Sequence, residues 1–222
     1  MQAKIFSEPT SVEQRLEELG LPAIVFQTAA QRGLFARSQT SSFEPKIAAG
    51  FTLWAKTIGS LGELAAPYGL STEAPAGHHL VIDHRRKRAY AVATGDHNVG
   101  NGDVERSPRT RVDKGIRTEE GLQENQYELF PELALKFDTY HPLRGYEFWW
   151  LLLHVVEETG VLRLEVSRGL RLDKDRCIST WVERVMLDEQ SLGGDGMPTR
   201  NLNDPDGPSS GEYDVTITRR VG

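Results

Sequence analysis

Hydrophobic positions along the chain fall into two regimes. Before Pro67 they recur at helical spacing; beyond it they alternate or run together as strands do. Val12, Leu16 and Leu19 mark one face of a short helix, with Ser11 and Gln14 read as a capping box and Gly20 as the stop. A second helix is expected from Pro22 to about Ser38, with Gly33 as a candidate break. The third opens at Pro45 and has the clearest pattern, with Ile47, Phe51, Trp54, Ile58, Leu61 and Ala65 at helical spacing. Its few polar positions predict thorough burial. Gly59 and Gly62 predict close approach of another element, at some cost in helix propensity.

Beyond Pro67, Leu80 and Ile82 lead to a basic tip, Arg85-Arg86-Lys87, and Tyr90 to Ala93 return, which predicts a hairpin. A polar stretch then runs from Gly95 to about Arg117. A helix resumes at Thr118, carries Leu122, Tyr127 and Leu129, kinks or restarts at Pro131, and ends near Phe137. GYEFWWLLLHVV is apolar on both faces and predicts a central strand covered on both sides. VLRLEVS alternates, with Leu162, Leu164 and Val166 on one face and Arg163, Glu165 and Ser167 on the other. Ile178 to Leu187 predicts a further strand. Residues 188–211, rich in Gly, Pro, Asp, Asn and Ser, read as a flexible loop, and EYDVTITRR reads as a closing strand. The expected fold is α+β, with N-terminal helices (residues 1–70) packed on a mainly antiparallel sheet of about five to six strands (71–222, with one intervening helix) in one compact unit. Strands and helices do not alternate, which disfavours a Rossmann or TIM-barrel arrangement.

Composition narrows the function classes. The 222 residues are 38% hydrophobic and 26% charged, enough for a packed core. No apolar run approaches the length of a membrane span, and the N-terminus lacks an apolar signal core, so a cytoplasmic protein without membrane contact is expected. A lone cysteine, Cys177, leaves no internal disulfide or thiolate cluster. The net charge of -6 argues against non-specific coating of nucleic acid but permits a local basic patch.

The stretch TGDHNVGNG, residues 94–102, concentrates glycine, Asp96 and His97. It lacks the Lys-Ser/Thr of a P-loop, the spacing of a dinucleotide fingerprint and the glutamate of a calcium loop. Asp96 and His97 are candidate metal ligands; a glycine-permitted turn with an Asp side chain bonded to backbone is the plainer reading. The segment that follows is a basic excess in an acidic chain. Arg106, Arg109, Arg111, Lys114 and Arg117 stand against Glu105 and Asp113. Guanidinium forks match phosphate oxygens, so these five are the candidate ligand-binding residues; the alternative is a solvated loop paired with the chain's own acids.

Asp83 at a strand end and Glu165 on another strand suggest, with Asp96, a divalent-metal nuclease site of the Asp…Glu-x-Lys kind. Ser167 stands where the lysine would be, and Arg168 is no base at neutral pH. Glu165 has a plainer use, pairing across the sheet with Arg163 or Arg184. Cys177 has no histidine near it in sequence and reads as a packed thiol; His154, mid-strand, reads as a hydrogen-bonded core residue. His78-His79 are metal ligands only with partners the sequence does not place. Trp54, Trp149, Trp150 and Trp181 read as packing residues.

TRVDKGIRT, LRLEVS, WVERVML and YDVTITRR, in that order, resemble a pattern found in bacterial proteins of no established activity, over about residues 43–220. The resemblance implies that the basic loop and the strands holding Glu165 and Glu183-Arg184 form one recurring unit. It carries no cofactor or catalytic residue. The leading expectation is a protein that binds a phosphate-bearing ligand, nucleic acid or nucleotide, and needs no cofactor. The alternatives are a metal-dependent nuclease or phosphohydrolase using Asp83, Asp96 and Glu165 with a divalent cation, and a protein-interaction module without catalysis. Whether the chain is an enzyme, and its oligomeric state, stay open at the level of sequence.

Overall fold

The computed structural model describes residues 2–129 and 143–192. Among them lie strands β1 (Lys4–Phe6), β2 (Ser71–Glu73), β3 (Leu80–Asp83), β4 (Arg88–Thr94), β5 (Glu147–Val156), β6 (Val161–Leu172) and β7 (Ile178–Gln190). The helices are α1 (Pro9–Leu19), α2 (Ala23–Ser38), α3 (Ala48–Ala65) and α4 (Ile116–Leu129). The strands form one sheet in the order β1-β7-β6-β5-β4-β3-β2.

The fold is α+β as expected, but the sheet has seven strands and is mixed, not mainly antiparallel with five to six. β1 pairs parallel with β7, and β4 pairs parallel with β5. The second pairing has a clear cause. β4 ends and β5 begins at opposite ends of the sheet, and residues 95–146, with α4 among them, separate the two strands in sequence. Only a crossover of that kind joins parallel neighbours. β1 and β2 are three residues each, too short to show alternation.

β5 is the central strand, and the period of two sends its side chains to two cores. Leu151, Leu153 and Val155 join Tyr90, Val92, Leu164, Val166 and Val185 beneath α1, α2 and α3. Phe148, Trp150 and Leu152 join Ala89, Ala91, Ala93, Val99, Leu122 and Trp181 on the opposite face, against α4 and the loop after β4. The expected doubly covered strand and the packing role of Trp149, Trp150 and Trp181 are both observed. Asn125 fastens α4 to the sheet: its Nδ2 donates to the carbonyls of Phe148 and Gly169, each at 2.8 Å, and its Oδ1 accepts the Phe148 amide.

Several local expectations change. α1 starts at Pro9 with Glu8 as its cap and no side-chain cap bond; the Ser11 hydroxyl donates to the Glu8 carbonyl instead of closing a capping box with Gln14. Gly62 makes the predicted close approach, since a Cβ there would stand 2.2 Å from Thr72 Oγ1, whereas Gly59 faces open space. α3 is not buried throughout. Leu53, Ile58, Leu61 and Ala65 enter the core, but Phe51 is 60% exposed, and Ile47, the residue before the helix, is 75% exposed. The N-terminal part of the helix runs past the core it packs on and leaves an apolar face uncovered. The closing strand over 212–220, nearly all of the 188–211 loop and the region around Pro131 lie outside the described residues; Asp188 to Gln190 complete β7.

Candidate ligand-binding site

The chain after β4 is not slack. Asp96 turns it, accepting the Asn98 amide on Oδ1 at 3.0 Å, and Gly100 takes a φ of 73° that only glycine adopts without strain. The Gly100 amide donates to Glu165 Oε2 at 2.9 Å. Glu165 is fully buried and also accepts from Ser167 Oγ and, twice, from Arg184. Arg184, 1% exposed, spends its remaining donors on the carbonyls of Asn98, Asn101 and Arg106. The buried pair therefore clamps residues 98–106 onto the sheet. Pro108 to Arg111 then pass from β4 to the start of β7: Thr110 bridges Gly95 and bonds Ile178, and the Trp181 indole N–H donates to the Pro108 carbonyl.

This path sorts the basic residues. Arg109 is held by Asp173 and Asp175, Arg117 by Glu120, and Arg106 lies 3.6 Å from Asp103. Arg111 and Lys114 have no carboxylate within ion-pair distance among the described residues. The Lys114 backbone is tied to Arg176 on both sides, which fixes the residue's place.

Arg111 and Lys114 line a cleft of about 540 Å³ at the C-terminal ends of β4 and β5. It is also lined by Lys46 and Ile47, by Phe51 and Trp54 in the first half of α3, and by Thr94, Gly95 and His154. Trp54 is fixed by its indole N–H, which donates to the Val92 carbonyl at 3.1 Å, and its ring lies 5.6 Å from that of Phe51. The lining holds four cations, Arg37, Lys46, Arg111 and Lys114, against one carboxylate, Glu157, which Arg37 takes at 2.8 Å. Burial lowers the pKa of Lys114 despite opposing influence from Cys177 and Asp113. Burial also lowers that of His154; the Gly95 carbonyl and Asp96 act in the opposite sense, and Arg111 and Arg163 reinforce the lowering.

No family model, curated protein or solved structure matches the chain. The site therefore rests on its own geometry.

The three candidate carboxylates are not brought together. Asp83 stands opposite Arg88 at the start of β4, and from Arg88 to Asp96 eight residues of extended chain cover about 26 Å. Asp83 is spent on the hairpin tip, accepting the Arg86 amide and guanidinium; burial works to raise its pKa, but these bonds outweigh it and hold the value low. Glu165 is spent on the clamp, in the cross-strand pairing with Arg184 that its alternation suggested. Asp96 is spent on its turn. Among the described residues no group of three or more His, Cys, Asp or Glu is placed to hold a metal, and Asp96 with His97 forms none.

Of the five basic residues singled out in the sequence, the structure brings Arg111 and Lys114 to the cleft. Sequence reading missed Lys46 and the cleft face of Trp54. The signal for them was present but ambiguous: Phe51 and Trp54 fall on the helical period, which reports a face and not what covers it.

Proposed function

We propose that the cleft binds a phosphate-bearing ligand of nucleotide size, with Arg111, Lys114 and Lys46 holding phosphate. One observation carries this reading: three cations without carboxylate partners among the described residues surround one cleft in a chain of net charge -6. Arg111 offers a planar fork to phosphate oxygens, and Lys46 and Lys114 add point charges. The volume of about 540 Å³ lies within the usual range for small-molecule sites, roughly 300–1,000 Å³. It suits a mononucleotide better than a polymer. The Phe51 and Trp54 rings and Ile47 supply an apolar wall against which a base stacks.

Equilibrium binding tests this with adenosine, guanosine, cytidine and uridine triphosphates and inorganic phosphate, at low and physiological salt. At least one nucleotide binds in the micromolar to millimolar range, weakens with salt, and binds at least about tenfold more weakly to Arg111→Ala/Lys114→Ala, since a charged hydrogen bond contributes about 1.5–3 kcal/mol. If no nucleotide binds at low salt, or the double variant binds as wild type does, the proposal is wrong.

A further inference from the structure

His154 is the one imidazole among the residues lining the cleft, and its setting differs from that of an ordinary core histidine. It sits near the end of β5, opposite Arg163 of β6, and is 9% exposed. Its Nδ1 lies 3.3 Å from the Gly95 carbonyl oxygen. A carbonyl only accepts, so Nδ1 carries the proton and Nε2 holds a free lone pair in the neutral ring. Nε2 has no hydrogen-bond partner among the described residues. The charged groups acting on the ring come from every side: Arg111 from the crossing segment, Arg163 from β6 and Asp96 from the turn after β4. Burial, reinforced by the two guanidiniums, outweighs the Gly95 carbonyl and Asp96 and lowers the pKa of the ring from the usual histidine value, which favours the neutral imidazole. Arg111 is the link to the ligand. It borders the cleft and is close enough to His154 to influence it, so a phosphate drawn to Arg111 arrives beside the imidazole.

We infer that His154 is a general base and that the cleft hydrolyses the terminal phosphoanhydride bond of a nucleoside triphosphate; this rests on the nucleotide-binding reading. His154 Nε2 takes a proton from water as the water oxygen bonds to the terminal phosphorus. The bridging P–O bond breaks, and its electron pair leaves with the nucleoside diphosphate. The products are nucleoside diphosphate, inorganic phosphate and the proton, which passes from His154 to solvent. A phosphoanhydride is favoured over an alkyl phosphoester by the leaving group. The lining has no carboxylic acid free to protonate an alkoxide, since Glu157 is held by Arg37, whereas a departing phosphate needs no proton and is met by Lys46, Arg111 and Lys114.

The test is phosphate release from the four nucleoside triphosphates with magnesium, read beside nucleotide binding, for wild type and His154→Gln. Wild type releases phosphate, with a rate that falls as the pH drops below the usual histidine range; His154→Gln releases it about 100-fold more slowly or worse and keeps its nucleotide affinity within about threefold. In the wild-type protein, 15N spectra of the imidazole show the Nδ1-protonated form and a shift of Nε2 on nucleotide addition, a readout that needs no variant. Binding without phosphate release, or undiminished release by a folded His154→Gln, overturns the hydrolytic inference and leaves the binding proposal standing. Absence of nucleotide binding overturns both.

Discussion

Replacing Arg184 with methionine keeps most of the side chain's length and removes its charge. The neighbour left behind is Glu165, fully buried between β5 and β7. In the native protein its carboxylate accepts from Arg184 Nε at 2.9 Å, Arg184 Nη2 at 2.7 Å, Ser167 Oγ at 2.6 Å and the Gly100 amide at 2.9 Å. Arg184→Met removes the one cation paired with Glu165 among the described residues and two of these four bonds, and strips a donor from the carbonyls of Asn98, Asn101 and Arg106. Breaking a buried, hydrogen-bonded pair from one side costs about 3–5 kcal/mol, a large share of the ~5–15 kcal/mol stability of a typical domain. Removing the stranded charge as well relieves part of that cost. Arg184→Met/Glu165→Gln is expected to be more stable than Arg184→Met alone by about 1–3 kcal/mol, because the amide oxygen still accepts from the Gly100 N–H, the amide nitrogen can donate to the Ser167 hydroxyl, and no charge is buried. Urea unfolding followed by tryptophan fluorescence reads all four proteins, with Trp150 and Trp181 buried on the same face of the sheet. A loss under 1 kcal/mol for Arg184→Met, or a double variant as unstable as the sum of the singles, would refute the clamp.

Other substitutions separate structure from site. Phe51→Ser changes stability by less than about 0.5 kcal/mol, because the ring is 60% exposed, yet weakens nucleotide binding; a thermal melt and a binding isotherm check the two halves. Asn125→Ala costs about 3 kcal/mol in urea unfolding, since it removes three buried hydrogen bonds between α4 and the backbone of Phe148 and Gly169 at roughly 1 kcal/mol each. Asp83 and Glu147 are desolvated, which raises their pKa values, but bonds from Arg86 and from Arg88 outweigh this and hold both low. Each depressed value contributes stability that is present above the unfolded value and lost as pH falls through the lower folded one. Acid unfolding therefore steepens below about pH 4, and Asp83→Asn/Glu147→Gln flattens stability there.

Much of the fold was legible where the hydrophobic period was long. The period of two in VLRLEVS placed Glu165 on the face opposite Leu164, and the apolar run around Trp149 announced the central strand. The parallel pairing of β4 and β5 was not legible, because it depends on where residues 95–146 take the chain, and their polar pattern names no destination. The basic segment was visible as charge, but ion pairs with Asp173, Asp175 and Glu120 decide which arginines stay available, and those acids are distant in sequence or sit a helical turn away. Apolar spacing along α3 likewise promised burial for Phe51 without revealing that the helix outruns the core beneath it. TGDHNVGNG resolves into an Asp turn whose Gly100 amide is gripped by Glu165, and so into the support that leads the chain toward Arg111 and Lys114.

The most direct measurement of the central claim is a nucleotide titration followed by two-dimensional NMR of the backbone amides, the arginine side chains and the tryptophan indoles. Saturable shifts at Lys46, Trp54, Gly95, Arg111 and Lys114, with the Asp83 tip unmoved, are the predicted result. Shifts confined to the Arg85–Arg88 tip, or none at millimolar nucleotide and low salt, would contradict it.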